Sequence, residues 1–522
     1  MTHPKLVESM SRPDFYPHRP ASVELVQTHI SFVFIAGERV YEVKKAVDFG
    51  FLDFTTLEKR RHYCREELRL NRRLAPEAYL EVAAIVEDEE GELRLGTGRA
   101  VDYAVVMKRL PLGRMLKKLL AEGKVPPEAM DAVAAKVAAF HAAAETGGRI
   151  DRIGGIDTIR YNHDENFEQT AKYVGLTIAR DRYDFLKDWV RRFLERERPL
   201  FEKRVAEHRI RDCHGDLHAE HICLADGIVI FDCIEFNERF RFADVAAEAA
   251  FLAMDLDYNG YPEHARAFVE AYVRHSGDVD LRRLLDFYRC YYAYVRGKVT
   301  SFRLDDPHIG AADRKAAART AGRYFDLAFS YAARPAKKTL ILVAGLMGTG
   351  KSVFARALAP LLGAEIVQTD AVRKDMLRIP ATEHRYEGFG EGIYSDEVSR
   401  RTYAMALEIA LEKLRTAGAV IIDGSYKSRE ERARAFEAAR RAGTGAFLVE
   451  CTCPEATVEA RLRARESHGG DISDGRWEIF QAQRRDFETI DEIPAGSRIV
   501  VDTSLDAGEN ALAVLKRLSE PG

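Results

Sequence analysis

Tryptophan is the scarcest side chain, two in 522 residues, and cysteine is hardly commoner at seven. An odd cysteine count without framework spacing excludes a disulfide-stapled scaffold and predicts reduced thiols in the cytoplasm. Cys451-Thr-Cys453 closes an expected strand and is read as a packing pair. Excess charge of one sign is missing too: 79 Lys and Arg against 83 Asp and Glu leave −4. Such a balance gives no support to a nucleic-acid binder. No run of about 18 apolar residues occurs, so no membrane span is expected. Residues 1–20 hold no apolar core of signal-peptide type and, being Pro-rich, are expected on the surface. What is there is the composition of a globular chain, 46% hydrophobic and 31% charged, long enough for two or three domains.

The strongest local signal lies at 339–362. The β-branched-rich run 340–343 predicts a buried parallel strand, and an Ala/Leu/Arg-rich helical segment follows the loop. That loop, Gly345-Leu346-Met347-Gly348-Thr349-Gly350-Lys351-Ser352, fits G-x-x-x-x-G-K-[ST] in the strand–loop–helix context the pattern requires. Gly345 and Gly350 let loop N–H groups face phosphate oxygens, and the helix start adds its dipole. Lys351 is the candidate for the β- and γ-phosphates, and the Ser352 hydroxyl for Mg²⁺. ATP or GTP is the expected ligand.

Downstream, strands are expected at 365–369, Ala419–Asp423, 445–451 and Arg498–Asp502, alternating with helices. With the first strand these make a five-stranded parallel sheet in a three-layer α/β/α domain. Asp423 ends its apolar strand as a second Mg²⁺ candidate. Asp370, just after the second strand, faces the crevice at the strands' carboxyl ends. There it can accept a hydroxyl proton or cap a helix, and Arg373 can hold an anionic group. Arg461 and Arg465 lead into a Gly-rich stretch at 466–474, the pattern of a lid over phosphates. Residues 339–518 resemble the small P-loop kinases, the group of gluconate, shikimate and zeta-toxin-like kinases. The resemblance rests on the P-loop, Thr369-Asp370-x-x-Arg373 and the lid arginines.

Upstream, 23–47 alternates in the β manner, with a turn at Gly37-Glu38 that predicts a hairpin. A helix at 56–74 and strand-like runs at 79–87 and 93–107 complete a small sheet carrying one helix. Helical patterns follow at 126–145, over one long stretch at 166–204, and at 281–302. Tyr288, Tyr291, Tyr292 and Tyr294 in the last are read as packing aromatics. These helices are interrupted by His214-Gly-Asp216-Leu-His218-Ala-Glu-His221 and by 228–236, which carries Asp232 and Glu235. Two acids flanking a short hairpin suit phosphoryl transfer, one orienting the acceptor hydroxyl and one holding Mg²⁺.

The pairing of HGDLH at 214–218 with IFDCIEF at 230–236 resembles the aminoglycoside phosphotransferase family of small-molecule kinases. The resemblance covers about residues 23–325. It implies Asp216 as catalytic base, Asp232 as metal ligand, and a lysine on the third strand paired with a helix glutamate. Lys44 is chosen for that lysine, with Lys45 second, and Glu67 rather than Glu66 for its partner. His221 stands where the family has a metal-binding Asn, and an imidazole suits Mg²⁺ less well than an amide oxygen. Thr28-His-Ile-Ser31 stands in place of a glycine-rich loop. His214 and His218 are read as ordering the loop.

The expected architecture is therefore a surface segment (1–22), a bilobal kinase-like domain of small sheet and helical lobe (23–333), a linker (334–338) and the P-loop domain (339–522). The pairing resembles a bacterial tandem-kinase family. It implies ATP- and Mg²⁺-dependent phosphorylation of a hydroxyl on a small metabolite, with no nucleic-acid or membrane partner. The alternatives are a regulatory N-terminal module beside one catalytic P-loop domain, and an NTPase switch acting on a protein partner. No dense acidic cluster occurs at 240–300 to receive a polycation, so aminoglycosides are not expected.

Overall fold

The computed structural model describes residues 4–50, 52–335, 337–380, 392–415, 417–468 and 477–519. The chain divides into two compact units, Met1–Ala328 and Phe329–Gly522.

The first unit opens with β1 (Val23–Gln27), β2 (Ser31–Ala36) and β3 (Arg39–Lys44), followed by the helix Leu57–Asn71. Next come β4 (Tyr79–Glu87), β5 (Leu93–Leu95) and β6 (Ala100–Lys108), so the run read at 93–107 is two strands. They form one antiparallel sheet in the order β1-β2-β3-β6-β4-β5. The Thr56 side chain caps the helix by accepting from the Lys59 amide at 3.2 Å. Glu67 lies on the helix's buried face. The N-terminal segment is not a surface piece. Its Leu6, Met10, Phe15 and Tyr16 are buried against Phe34, Tyr41 and Val106 of the sheet. Each such apolar side chain contributes roughly 1.5–3 kcal/mol on burial, enough to outweigh the local proline signal.

The helical lobe is built from Ala129–Ala143, Ile156–Thr170, Arg180–Arg196, Val245–Tyr258, Pro262–Ser276 and Leu281–Phe302. The single stretch expected at 166–204 is broken. Gly175 takes φ +85° between two helices, and Pro199 starts a third, Arg198–Ala206. Two small antiparallel pairs interrupt the lobe. They are β7 (Ile210–Asp212) with β10 (Phe242–Asp244), and β8 (Ile222–Ala225) with β9 (Gly227–Ile230). Inside, the Arg204 guanidinium bridges Asp244 (2.6 Å) and Asp278 (2.8 Å), fully buried. Among the described residues no helix is long and apolar enough to cross a membrane.

His163 is buried on Ile156–Thr170, 4.9 Å from the Tyr291 ring and 5.1 Å from that of Phe287. Burial pushes it down to about 3. The unfolded chain therefore takes up the proton first, and the stability that neutral His163 permits is full above its ordinary 6.5 and falls below it. Going from pH 7 to pH 5 should remove about 2 kcal/mol through this group. In His163→Phe the corresponding slope of urea stability against pH should be shallower by that amount. An unchanged slope would contradict a neutral buried histidine.

The second unit carries β11 (Thr339–Ala344), β12 (Glu365–Gln368), β13 (Ala419–Asp423), β14 (Gly445–Thr452) and β15 (Arg498–Asp502). All pair in parallel, in the order β12-β13-β11-β14-β15. Every residue of β11 and β13 is buried, as continuous apolar runs in covered parallel strands require. The chain adds β12 and β13 on one side of β11 and β14 and β15 on the other. The crevice at the carboxyl ends opens where that order reverses.

Candidate active sites

In the N-terminal unit Lys44 ends β3 with its ammonium buried. It donates to Glu67 at 2.7 Å and to Glu235 at 2.5 Å, and Glu42 lies 3.9 Å away. Lys45 points elsewhere, donating to the Thr28 carbonyl at 2.6 Å, and Glu66 pairs with Arg69. Three acids thus crowd one ammonium. Burial pushes both Glu42 and Glu67 above the usual carboxylate range, against the pull of Lys44; Asp232 and Glu235 add to the push on Glu42, and Glu42 and Glu235 to that on Glu67. Glu42 and Glu235 were not singled out from the sequence as members of this site. Glu235 could have been, as the second acid of IFDCIEF.

The loop after β7 is held from below by Val245–Tyr258. The Glu248 carboxylate, 2% exposed, accepts from the amides of His214 (2.7 Å) and Gly215 (2.6 Å). Its other oxygen meets His141 Nε2 at 2.7 Å, and His141 Nδ1 meets the Tyr272 hydroxyl at 2.7 Å. Two turns on, Asp255 accepts from the Ala219 amide at 2.9 Å. Neither acid was read from the sequence. The signal was a carboxylate inside an otherwise apolar helix.

His214 lies against the Phe231 carbonyl (2.9 Å) and accepts from the Asp216 amide through Nδ1, so it orders the loop. The His218 and His221 rings lie tilted to each other with centroids 4.0 Å apart, and each has a ring nitrogen 3.5 Å from the Asp216 carboxylate. His221 Nε2 also lies 3.2 Å from Asp232, so this ring spans the two acids. Burial opposes ionisation of Asp216, but the His218 hydrogen bond and the charges of His221, His218 and His214 hold it well below the usual carboxylate range. Asp232 follows β9 at φ +66°, a left-handed conformation that Asp tolerates, and its side chain is 61% exposed. Lys44, Glu67, Asp216, Asp232 and Glu235 all line one cavity of ≈ 560 Å³. Tyr288, Tyr291 and Tyr292, read as packing residues, line it as well.

In the C-terminal unit Gly345 takes φ +139°, and a Cβ there would meet the Cys451 carbonyl at 2.5 Å. The Lys351 ammonium donates to the Leu346 carbonyl at 2.9 Å, as does the Thr349 hydroxyl at 2.7 Å. The Met347 amide donates to Gln483 Oε1 at 2.7 Å. That carbonyl oxygen holds a loop N–H of the kind phosphate oxygens accept from, and Gln483 was not read from the sequence. Gly348 lies under Val458 and Leu462 and Gly350 precedes the helix Lys351–Leu362. Asp423 is buried at the end of β13. Burial pushes it up, while Lys351 and a hydrogen bond with Ser352 pull it down.

Asp370 lies in the first turn of the helix Thr369–Met376, whose N-cap is Gln368, and it pairs with Arg373 one turn on. Arg373 is buried and stacks on Tyr394 at 4.8 Å. Arg461 is anchored by donating to the Thr503 carbonyl at 2.7 Å and lies 3.5 Å from Cys453 Sγ. The Arg465 side chain and, of the lid expected at 466–474, residues 469–474 lie outside the described residues.

Uncharacterized protein Rv2004c of Mycobacterium tuberculosis (strain ATCC 25618 / H37Rv) is 32% identical over 471 residues, 90% of this chain and 91% of that protein. The chain belongs to that protein's family. Within this family's chain, residues 39–288 match the Phosphotransferase enzyme family and residues 340–490 match an AAA domain. These are a kinase-like phosphotransferase domain and a P-loop kinase domain, fused. Among solved structures, a gluconokinase from Sinorhizobium meliloti 1021 is 22% identical, covering 35% of this chain and 94% of its own (TM-score 0.25). A choline/ethanolamine kinase family protein from Mesorhizobium loti is 12% identical, covering 63% and 99% (TM-score 0.37).

Proposed function

We propose that the protein is an ATP-dependent phosphotransferase with two nucleotide sites, phosphorylating a hydroxyl of a small metabolite. The observation that carries this is the gathering of Lys44, Glu67, Asp216 and Asp232 around one cavity, in a chain that also bears a complete P-loop. In the N-terminal unit Lys44 would hold nucleotide phosphates and Asp216 the acceptor hydroxyl. The hydroxyl oxygen bonds to the γ-phosphorus, the bond from that phosphorus to the bridging oxygen breaks, and ADP leaves. The proton passes to Asp216 and then to solvent. In the C-terminal unit Lys351 and the loop amides would take the phosphates, Asp370 the hydroxyl proton, and Arg373 an anionic group. Both sites act by positioning and charge neutralisation.

The residues fit Mg²⁺. Asp232 and His221, 3.2 Å apart, would hold the ion beside the acids that crowd Lys44. In the second unit Ser352 and Asp423 offer a hydroxyl against a buried carboxylate. Bound there, Mg²⁺ supplies neutralisation of phosphate charge. Acceptor and nucleotide are small molecules, and no nucleic-acid or membrane partner is part of this reading.

Calorimetric titration with Mg²⁺ and a non-hydrolysable ATP analogue tests it. Wild type should show two sites, Lys351→Ala one, and Lys44→Ala one. A single site in wild type that vanishes in Lys351→Ala would support a second reading, in which only the P-loop unit is catalytic and the first is regulatory. The observations favouring it are the His221 ring lying between Asp216 and Asp232, and Glu235 seated on Lys44.

A further inference from the structure

The N-terminal cavity has two ends of opposite character. Around Lys44 it is lined by carboxylates. The far wall, formed by the helices Ile156–Thr170 and Leu281–Phe302, carries Arg296 and Lys298 with one acid among the lining residues of those two helices, Glu165, and Arg239 of the short helix Glu238–Arg241 stands beside it. Arg239 and Glu165 neutralise each other at 2.9 Å. The other two cations form no such pair. Lys298 donates to two neutral amides, Asn166 Oδ1 at 2.7 Å and Gln169 Oε1 at 3.0 Å. Arg296 lies over the Tyr324 ring at 5.7 Å and hydrogen-bonds with Tyr324, and the charges of Asp216 and Asp255 act on it from beyond ion-pair distance. Among the described residues neither has a carboxylate within ion-pair distance. The wall also presents Asn162, whose side-chain oxygen is buried without a partner and can accept from a hydroxyl.

A partly buried ammonium held only by neutral groups is an unfinished electrostatic arrangement. Burial pushes Lys298 down to about 8, Glu165 raising it only in part, with Arg239 adding to the fall. An anion beside it would supply the missing partner.

We propose that this wall binds a hydroxylated small molecule bearing one anionic group, a carboxylate or a phosphate ester, with the charge on Lys298 and Arg296 and a hydroxyl toward Asp216. The proposal rests on the phosphoryl-transfer reading for the role of that hydroxyl, but not for the charge of the ligand. It assigns the first unit an acceptor opposite in sign to a polyamine sugar.

Four pyranoses of the glucose series test it by charge: D-glucose, D-glucuronate, D-glucose 6-phosphate and D-glucosamine. They are titrated by calorimetry, without nucleotide, into full-length Lys351→Ala. One or both anionic sugars should bind at least ten-fold more tightly than the neutral and cationic ones, and which of the two does so separates carboxylate from phosphate. Lys298→Gln should lose that preference and Lys298→Arg should keep it, and the affinity should fall as the pH is raised past 8. Preference for glucose or glucosamine, equal binding of all four, no binding, or an anion preference that survives Lys298→Gln would each overturn the proposal. Adding Mg²⁺ and ATP and following ADP release then separates it from the kinase reading. Anion binding without ADP release leaves the anionic site standing and removes the kinase role. Release stimulated only by glucose or glucosamine does the reverse.

Discussion

Glu248→Ala should speed amide exchange across residues 212–221 by about two to four orders of magnitude. The carboxylate is fully buried and takes the amides of His214 and Gly215 on one oxygen and His141 on the other. Truncation leaves two backbone donors and a histidine without their partner in a site closed to water. Removing one member of such a buried network costs roughly 3–5 kcal/mol, and the loop that carries Asp216 is where the loss falls. Glu248→Gln is the informative companion. Its amide oxygen can still accept both backbone N–H groups, and its NH₂ can donate to the other tautomer of His141. Only the charge assistance goes, so exchange should rise by less than half as much on a logarithmic scale. Hydrogen–deuterium exchange with mass spectrometry reads both variants. Wild-type protection in Glu248→Ala would show that the loop is held by something other than this helix.

Gly345→Ala should weaken binding of Mg²⁺ with an ATP analogue at the C-terminal unit by more than 100-fold. The backbone there is at φ +139°, and the added methyl would sit 2.5 Å from the Cys451 carbonyl and 3.1 Å from Thr349 Oγ1. Neither neighbour can retreat cheaply, because Cys451 is inside β14 and Thr349 is tied to Leu346. The loop must therefore leave the shape that turns its N–H groups inward. Gly443→Ala is the control. It also has positive φ, but its Cβ would meet nothing within 4 Å, so only backbone strain of roughly 1 kcal/mol is added. Calorimetry on both variants in a Lys44→Ala background isolates the second site. Equal affinities would mean that the Gly345 conformation is not part of nucleotide binding.

The two units were unequally legible, for a physical reason. The P-loop is local: strand, loop and helix are contiguous, and the parallel sheet announces itself through continuous apolar runs such as Ala419–Asp423. The first site is assembled across the chain. Helical spacing pointed to Glu67 over Glu66, because apolar Leu74 falls two turns beyond Glu67, and the structure puts Glu67 on the buried face with Cys64 and Leu70. No spacing rule connects position 44 with 235, 191 residues on, or position 214 with 248. Residues 1–22 failed in the other direction. Proline-rich composition argues for exposure, but Met10 and Tyr16 had a sheet face to cover that local composition does not reveal. Gln483, whose side chain reaches Met347 from 136 residues away, is of the same kind.

The anchors of the Asp216 loop, Glu248 and Asp255, sit on Val245–Tyr258, while the cationic wall of the cavity sits on Ile156–Thr170 and Leu281–Phe302. On the readings proposed above, chemistry and choice of acceptor would thus occupy different helices. Substitutions that recolour the wall, a lysine to a glutamate for instance, would then leave the loop that carries Asp216 undisturbed. Such a scaffold can change its diet in evolution one helix face at a time.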